Sequence, residues 1–206
     1  MKKDTKRMKA DAYPTPPWCV DRLLEVEDLD LPGGEWLEPG GGTGNIIRAV
    51  SAKRADVKWH TVEVRRQCQK GLVEAVGQAD RVAIGDFLQM PVPKTKYKVA
   101  FTNPPFSLAR EFVEKSLHFA DRVVMLLRLA FLETDTRADF LRGNMPDVYV
   151  LPDRPSFVNG GHDYSAYAWF VWSHVRKDAG KLRILASTPE EIRYPRSKKR
   201  RRKIGK

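Results

Sequence analysis

Seven short runs of apolar or alternating character punctuate the chain, and most are separated by stretches of helical periodicity. Glu35-Trp36-Leu37-Glu38, Val82-Ala83-Ile84 and Val148-Tyr149-Val150-Leu151 read as short strands. Lys58-Trp59-His60-Thr61-Val62-Glu63 alternates and is rich in strand formers. Tyr97–Thr102, Val123–Leu127 and Ala166–Trp172 are near-continuous apolar runs, as expected of strands covered on both faces. Arg183-Ile184-Leu185 is a candidate further edge strand. Helices are expected from about Trp18 to Glu25, opened by Pro17, and from about Arg66 to Val76. Ile46, Ile47, Ala49 and Val50 give another helical face, and a short helix is expected near Arg137–Leu141. Leu108, Phe112, Ser116 and Ala120 recur every four residues, with Val113 and Leu117 beside them, which predicts one more. Strands alternating with helices predict an α/β fold: a mostly parallel seven-stranded sheet with helices on both faces. No helix separates the runs at 148–151 and 166–172, so these two are expected as an antiparallel hairpin at one edge.

Four strand ends carry unusual chemistry. The first strand runs into Pro39-Gly40-Gly41-Gly42-Thr43-Gly44. Gly-Lys-Ser/Thr, which would make this a phosphate-binding loop, is missing, and Ile47 stands where the dinucleotide pattern counted from Gly42-x-Gly44 has its third glycine. The next two strands end on acids, Glu63 and Asp86. The fourth ends at Thr102-Asn103-Pro104-Pro105-Phe106, a stiff corner presenting an amide and a ring. Alone, the loop reads as a tight turn and the corner as a proline-stiffened bend. Together, at the carboxyl ends of strands in a parallel sheet, they read as a site.

Glu38-Pro39-Gly40-Gly41-Gly42-Thr43-Gly44-Asn45 resembles motif I of the class I S-adenosylmethionine methyltransferases. The fold so implied is Rossmann-like and the implied cofactor is S-adenosylmethionine. Gly40, Gly42 and Gly44 would let the backbone pass close to the amino-acid tail of the cofactor, with Asn45 beside them and Glu38 pairing with the ammonium. Glu63 would accept the ribose hydroxyls, Asp86 the adenine amino group, and Phe87 would pack on the ring. Asn103-Pro104-Pro105-Phe106 resembles motif IV of amino-group methyltransferases. There the Asn103 oxygen and the Pro104 carbonyl would accept hydrogen bonds from a planar amine, Pro105 would stiffen the corner, and Phe106 would stack on the target ring. Tyr13-Pro14-Thr15-Pro16 resembles motif X, which contacts the methionine end of the cofactor, and its place before motif I is the gamma-type order. Arg154-Pro155-Ser156-Phe157 resembles motif VIII, in which Phe157 would face Phe106 across a flipped base; core packing is the plain alternative for that ring. The resemblance is to the small adenine-specific DNA methyltransferases of phages and prophages, and it spans residues 12–175.

Composition sharpens the choice of substrate. The net charge of +11 is concentrated at the ends: eight Lys/Arg and no acid lie in residues 196–206, and five Lys/Arg against two Asp lie in residues 1–11. The expected organisation is a flexible basic arm (1–11), one methyltransferase domain (12–187) and a basic disordered tail (188–206). The tail residues Lys198, Lys199, Arg200, Arg201 and Arg202 are candidate phosphate contacts, so the expected partner is nucleic acid, DNA before RNA. Nothing after residue 175 has the length of a separate target-recognition domain, and short or relaxed sequence recognition is expected. Cys19 and Cys68 follow no metal or redox spacing, and His60, His118, His162 and His174 no ligand spacing, so no metal is expected. His162 and Asp163, in the hairpin loop, read as turn residues. Neither a membrane span nor an apolar leader is visible, and a cytoplasmic enzyme of unspecified oligomeric state is the expectation. An RNA base methyltransferase, a protein glutamine methyltransferase (Asn-Pro-Pro-Tyr in that family) and an inactive nucleic-acid-binding relative remain as alternatives.

Overall fold

The structure is a computed structural model and describes residues 14–157, 165–174 and 180–193. Eight strands form one sheet in the order β3-β2-β1-β4-β5-β7-β6-β8: β1 (Gly34–Pro39), β2 (Val57–Glu63), β3 (Val82–Ile84), β4 (Tyr97–Thr102), β5 (Ala120–Arg128), β6 (Asp147–Leu151), β7 (Tyr167–Ser173) and β8 (Leu182–Ile184). All run parallel except β7, which lies antiparallel between β5 and β6. Thus β6 and β7 do form the antiparallel pair expected toward one end of the sheet, but the count is eight and not seven. The extra strand has a local cause. Asp147, buried at the start of β6, accepts the backbone N–H groups of Gly180 (3.0 Å) and Lys181 (2.9 Å), and this sets the returning chain against β6.

The period-two pattern splits the strand side chains cleanly between two cores. Trp36, Val99, Phe101, Val124, Leu126, Trp169 and Val171 face one way. They are covered by α1 (Pro17–Leu24) through Trp18, Val20 and Leu23, by α2 (Asn45–Ser51) through Ile46, Ile47 and Val50, and by α3 (Gln69–Val76) through Leu72. Leu37, Ala100, Val123, Met125, Leu127, Phe170 and Trp172 face the other way, beneath α4 (Ala109–Phe119) and α5 (Asp135–Gly143). The helix expected to reach Ala120 stops at Phe119, because Ala120 turns extended and pairs with Tyr97 as the first residue of β5. Among the described residues no helix is long and apolar enough to cross a membrane.

The segment from residue 188, expected as the start of the tail, is tied to the domain as far as residue 193. Buried Thr188 accepts from Arg22 at 3.0 Å, and Arg193, in the short helix α6 (Glu190–Arg193), pairs with Asp153 at 3.3 Å.

Two buried threonines fix the end of β1 against its neighbours. Thr61 of β2 donates to the Glu38 carbonyl (2.9 Å) and Thr102 of β4 donates to the Pro39 carbonyl (2.7 Å). Removing the second hydroxyl while keeping the shape leaves a buried carbonyl short of a donor. Thr102→Val is therefore expected to lose about 1–3 kcal/mol of stability, read from the urea midpoint at unchanged slope. A variant as stable as the parent would show that the bond contributes nothing.

Candidate active site

The carboxyl ends of β1, β2, β3 and β4 open into one cleft of about 560 Å3, lined by residues from all four strand ends and by Thr15 ahead of α1. This is where a parallel α/β sheet places its ligands.

The glycine loop forms the floor. Gly40 and Gly41 both donate to the Val62 carbonyl, at 2.7 and 3.1 Å, so the chain leaving β1 stays on β2. Gly40, Gly42 and Gly44 have φ of 80°, 57° and 79°, values that L side chains rarely adopt. Gly41 lacks that conformation but has no room: a Cβ there would lie 2.2 Å from Thr61 Oγ1 and 3.0 Å from Leu72 Cδ2. Gly44 then caps α2, whose first residue is Asn45.

Thr15 links this loop to the Asn-Pro-Pro-Phe corner. Its carbonyl accepts from Asn45 Nδ2 (3.3 Å) and its buried hydroxyl from Asn103 Nδ2 (3.0 Å). Asn45 is held in turn by Thr43 Oγ1 (3.0 Å). One residue of the stretch that resembles motif X therefore bridges the glycine loop and the corner. Tyr13 of the same stretch lies outside the described residues, as do Lys198–Arg202, Asn159-Gly160-Gly161, His162 and Asp163.

The two acids nearest the loop have opposite environments. Glu38 is only 3% exposed. Burial pushes its carboxyl well above the usual range and the neighbouring Glu63 charge adds to this, while the Ile47 N–H and the Arg48 charge offset part of it. Its Oε2 has no hydrogen-bond partner among the described residues. For Glu63, burial again pushes the carboxyl up, but the Arg65 side chain and N–H and the Gly42 N–H outweigh it and hold it below the usual range. The bonds are Arg65 Nε to Oε1 (2.8 Å), Arg65 N to Oε1 (2.9 Å) and Gly42 N to Oε2 (2.7 Å). Asp86 lines the cleft at the end of β3, where its side chain accepts the Leu88 N–H at 2.9 Å. Phe87 reaches the cleft wall, but its ring is buried against Phe112 (5.3 Å) and Phe119 (5.0 Å). It is a wall of the core more than a free stacking surface.

At the corner Asn103 and Pro105 line the cleft, and Pro104 is buried. The Pro105 carbonyl accepts from Leu108 and starts a 3-10 turn over Phe106–Leu108. Phe106 belongs to a different surface. It packs against Tyr167 (5.5 Å between centroids) and edge-on against Phe157 (6.1 Å), with the Arg128 guanidinium over its face. Phe157 is 6% exposed and also meets Tyr167 edge-on at 5.1 Å. Its ring is packed into an aromatic nest and does not stand parallel to Phe106 across a gap; the interplanar angle is 62°.

Gly41, Arg65, Val64, Leu88 and Leu108 are among the cleft residues that the pattern did not single out as site residues. Val64 and Leu108 are apolar yet 43% and 37% exposed, one directly after Glu63 and one at the end of the corner turn. An apolar residue immediately after a strand-terminal acid was the available signal for Val64. Among the described residues no group of three or more His, Cys, Asp or Glu is placed to hold a metal ion.

No family model and no curated protein matches the sequence. Solved structures do match the fold. A candidate RNA methyltransferase of Pyrococcus horikoshii superposes with a TM-score of 0.63 at 19% identity, over 81% of this chain and 86% of that one. The methyltransferase subunit of a type I restriction-modification system from Streptococcus thermophilus gives 0.65 at 13% identity over 88% of this chain, which spans about half (51%) of that subunit. A 23S rRNA methyltransferase gives 0.56 at 18% identity, over 78% of this chain and 68% of that one. The chain has the class I methyltransferase fold.

The opposite environments of the two acids give a pH test. Glu38, raised in the folded state, opposes folding once the unfolded chain ionises, above about pH 4.3. Glu38→Gln is therefore expected to raise the melting temperature at pH 8 and to leave it nearly unchanged at pH 4. Glu63, lowered in the folded state, contributes stability above the ordinary carboxylate range that fades as pH falls through its folded value. Glu63→Gln should accordingly lower the melting temperature at pH 8 and less so in acid. Shifts of the same sign for both variants at pH 8 would contradict this assignment.

Proposed function

We propose that the protein is an S-adenosylmethionine-dependent methyltransferase acting on the exocyclic amine of a nucleobase, adenine N6 in DNA foremost. One observation carries the reading: the Asn103 amide nitrogen donates to Thr15 at 3.0 Å, which fixes the plane of the amide at the corner, beside the cleft built on the glycine loop.

The residues present fit the cofactor. Buried Glu38, with an oxygen lacking a donor, suits an ammonium group, and its ionisation would be restored by that cation. Gly41 has no room for a side chain against β2, and Val64, Leu88 and Leu108 supply apolar wall for a purine. Glu63 and Asp86 end adjacent strands, as ribose and adenine acceptors require; for Glu63 this role means sharing its oxygens with, or taking them from, Arg65. When bound, S-adenosylmethionine supplies a sulfonium-activated methyl group.

The work of the chain is positioning and electrostatics. The lone pair of an exocyclic amine is delocalised into its ring. Acceptors at Asn103 and the Pro104 carbonyl favour a pyramidal nitrogen and the partial positive charge it develops. Pro104 and Pro105 fix φ at two successive positions, which limits how far these acceptors can drift.

RNA is the second acceptor to test, because the matched folds include candidate RNA and rRNA methyltransferases as well as a restriction-modification subunit. The test is incubation with labelled cofactor and, separately, duplex DNA, single-stranded DNA, RNA and protein, followed by digestion to nucleosides. N6-methyldeoxyadenosine is the expected product; label found only in RNA or protein moves the assignment. Asn103→Ala is expected to lower turnover about 10²- to 10³-fold while cofactor binding persists. Thr15→Val removes the hydroxyl but keeps the carbonyl that Asn45 uses, and should lower turnover about 2- to 10-fold with little change in cofactor affinity. Thr15→Ser should restore it, and equal activity in all three would remove Thr15 from the mechanism.

A further inference from the structure

The aromatic nest beside the corner carries a cation for which the chemistry above has no use. Arg128 is the last residue of β5 and stands at the same end of the sheet as Asn103. Its guanidinium carbon lies over the Phe106 ring, 5.0 Å from the centroid, and its Nε is 3.4 Å from the Tyr167 hydroxyl. Register pairs Arg128 with Tyr167 across β5 and β7, so the side chain is aimed by two strands and not by a loop.

Exposure singles out one ring. Phe157 and Tyr167 are buried, Phe106 is half-buried, and Arg128 is exposed. Phe106 is thus the ring of the nest with surface left to offer, and a planar cation lies on it. Guanidinium stacks on aromatic faces by the same contact a nucleobase makes. A base stacking on Phe106 needs the surface that Arg128 covers, so one displaces the other. The displaced group stays charged, sits on a rigid strand end and carries five donors in a fork that matches a phosphate.

We propose that Arg128 is a phosphate contact for the acceptor strand: the guanidinium leaves Phe106 as the acceptor base arrives and pairs with a phosphodiester of the same strand. The site would then select a nucleotide within a polynucleotide over a free base, a nucleoside or a glutamine side chain. This inference rests on the nucleobase-amine reading and adds to it the means by which the backbone is sensed.

The experiment uses an oligonucleotide that the wild-type protein methylates and the matching free nucleoside, with steady-state kinetics at several salt concentrations for wild type, Arg128→Ala and Arg128→Lys. Arg128→Ala is expected to raise KM for the oligonucleotide, with the loss falling on KM more than on kcat. It should also reduce the slope of log KM against log salt by about 0.7–0.9, the share of one phosphate. Arg128→Lys should restore the slope, since the charge remains. With the nucleoside, Arg128→Ala should not raise KM, because the covering cation has gone and no phosphate is lost. An unchanged salt slope in Arg128→Ala, or a fall in kcat alone, overturns the role and leaves Arg128 as packing for Phe106. Failure of the wild type to modify any polynucleotide overturns the nucleobase reading itself.

Discussion

The end of β1 is the point on which the site depends. Thr61 and Thr102 reach in from the two flanking strands and bind the carbonyls of Glu38 and Pro39 in succession. These bonds satisfy buried backbone groups at the end of β1, and they also fix the start of the glycine loop against β2 and the start of the corner against β1. Glu38 is held inside this junction, away from water, although burial disfavours its charged form. A carboxyl kept there against its own solvation is a strained choice for structure alone and a sensible one for receiving a cation.

The two acids show how neighbouring strands can set one residue type to different tasks. Glu63 is supplied with donors from Gly42 and Arg65, and its carboxylate is secured. Glu38 is given burial and a like charge. Since Gly42 donates to Glu63, the loop between the acids is braced by one of them while it shields the other. The conformation of the loop and the electrostatics of the cleft are thus one arrangement.

Much of this was legible in the chain. Strand and helix placement followed from period: Trp36 and Leu37, or Phe101 and Ala100, alternate between two cores as their spacing demands. The loop and corner followed from glycines and prolines whose chemistry is local. What escaped depends on partners distant in sequence. β8 was visible only as a candidate edge strand at Arg183-Ile184-Leu185, and what escaped is its anchor: Asp147 accepts two backbone N–H groups and holds the returning chain against β6. Arg65 is unremarkable until Glu63 is seen to be its partner, and the bridging place of Thr15 depends on a contact 88 positions away. For Phe157 the sequence left two readings, a stacking wall and core packing, and the ring is buried edge-on against Tyr167.

The reversed strand β7 has a consequence for how such a protein can change. The glycine loop, both acids and the corner are borne by β1 to β4, whereas Arg128 and Tyr167 are borne by β5 and β7, which pair with each other along seven residues. Phe106 is where the two halves meet. On the function proposed above, substitutions on the β5–β7 side would reshape the acceptor side of the cleft while leaving the glycine loop and the two acids in place. The sheet is thus divided at Phe106 into two groups of strand ends that can vary separately.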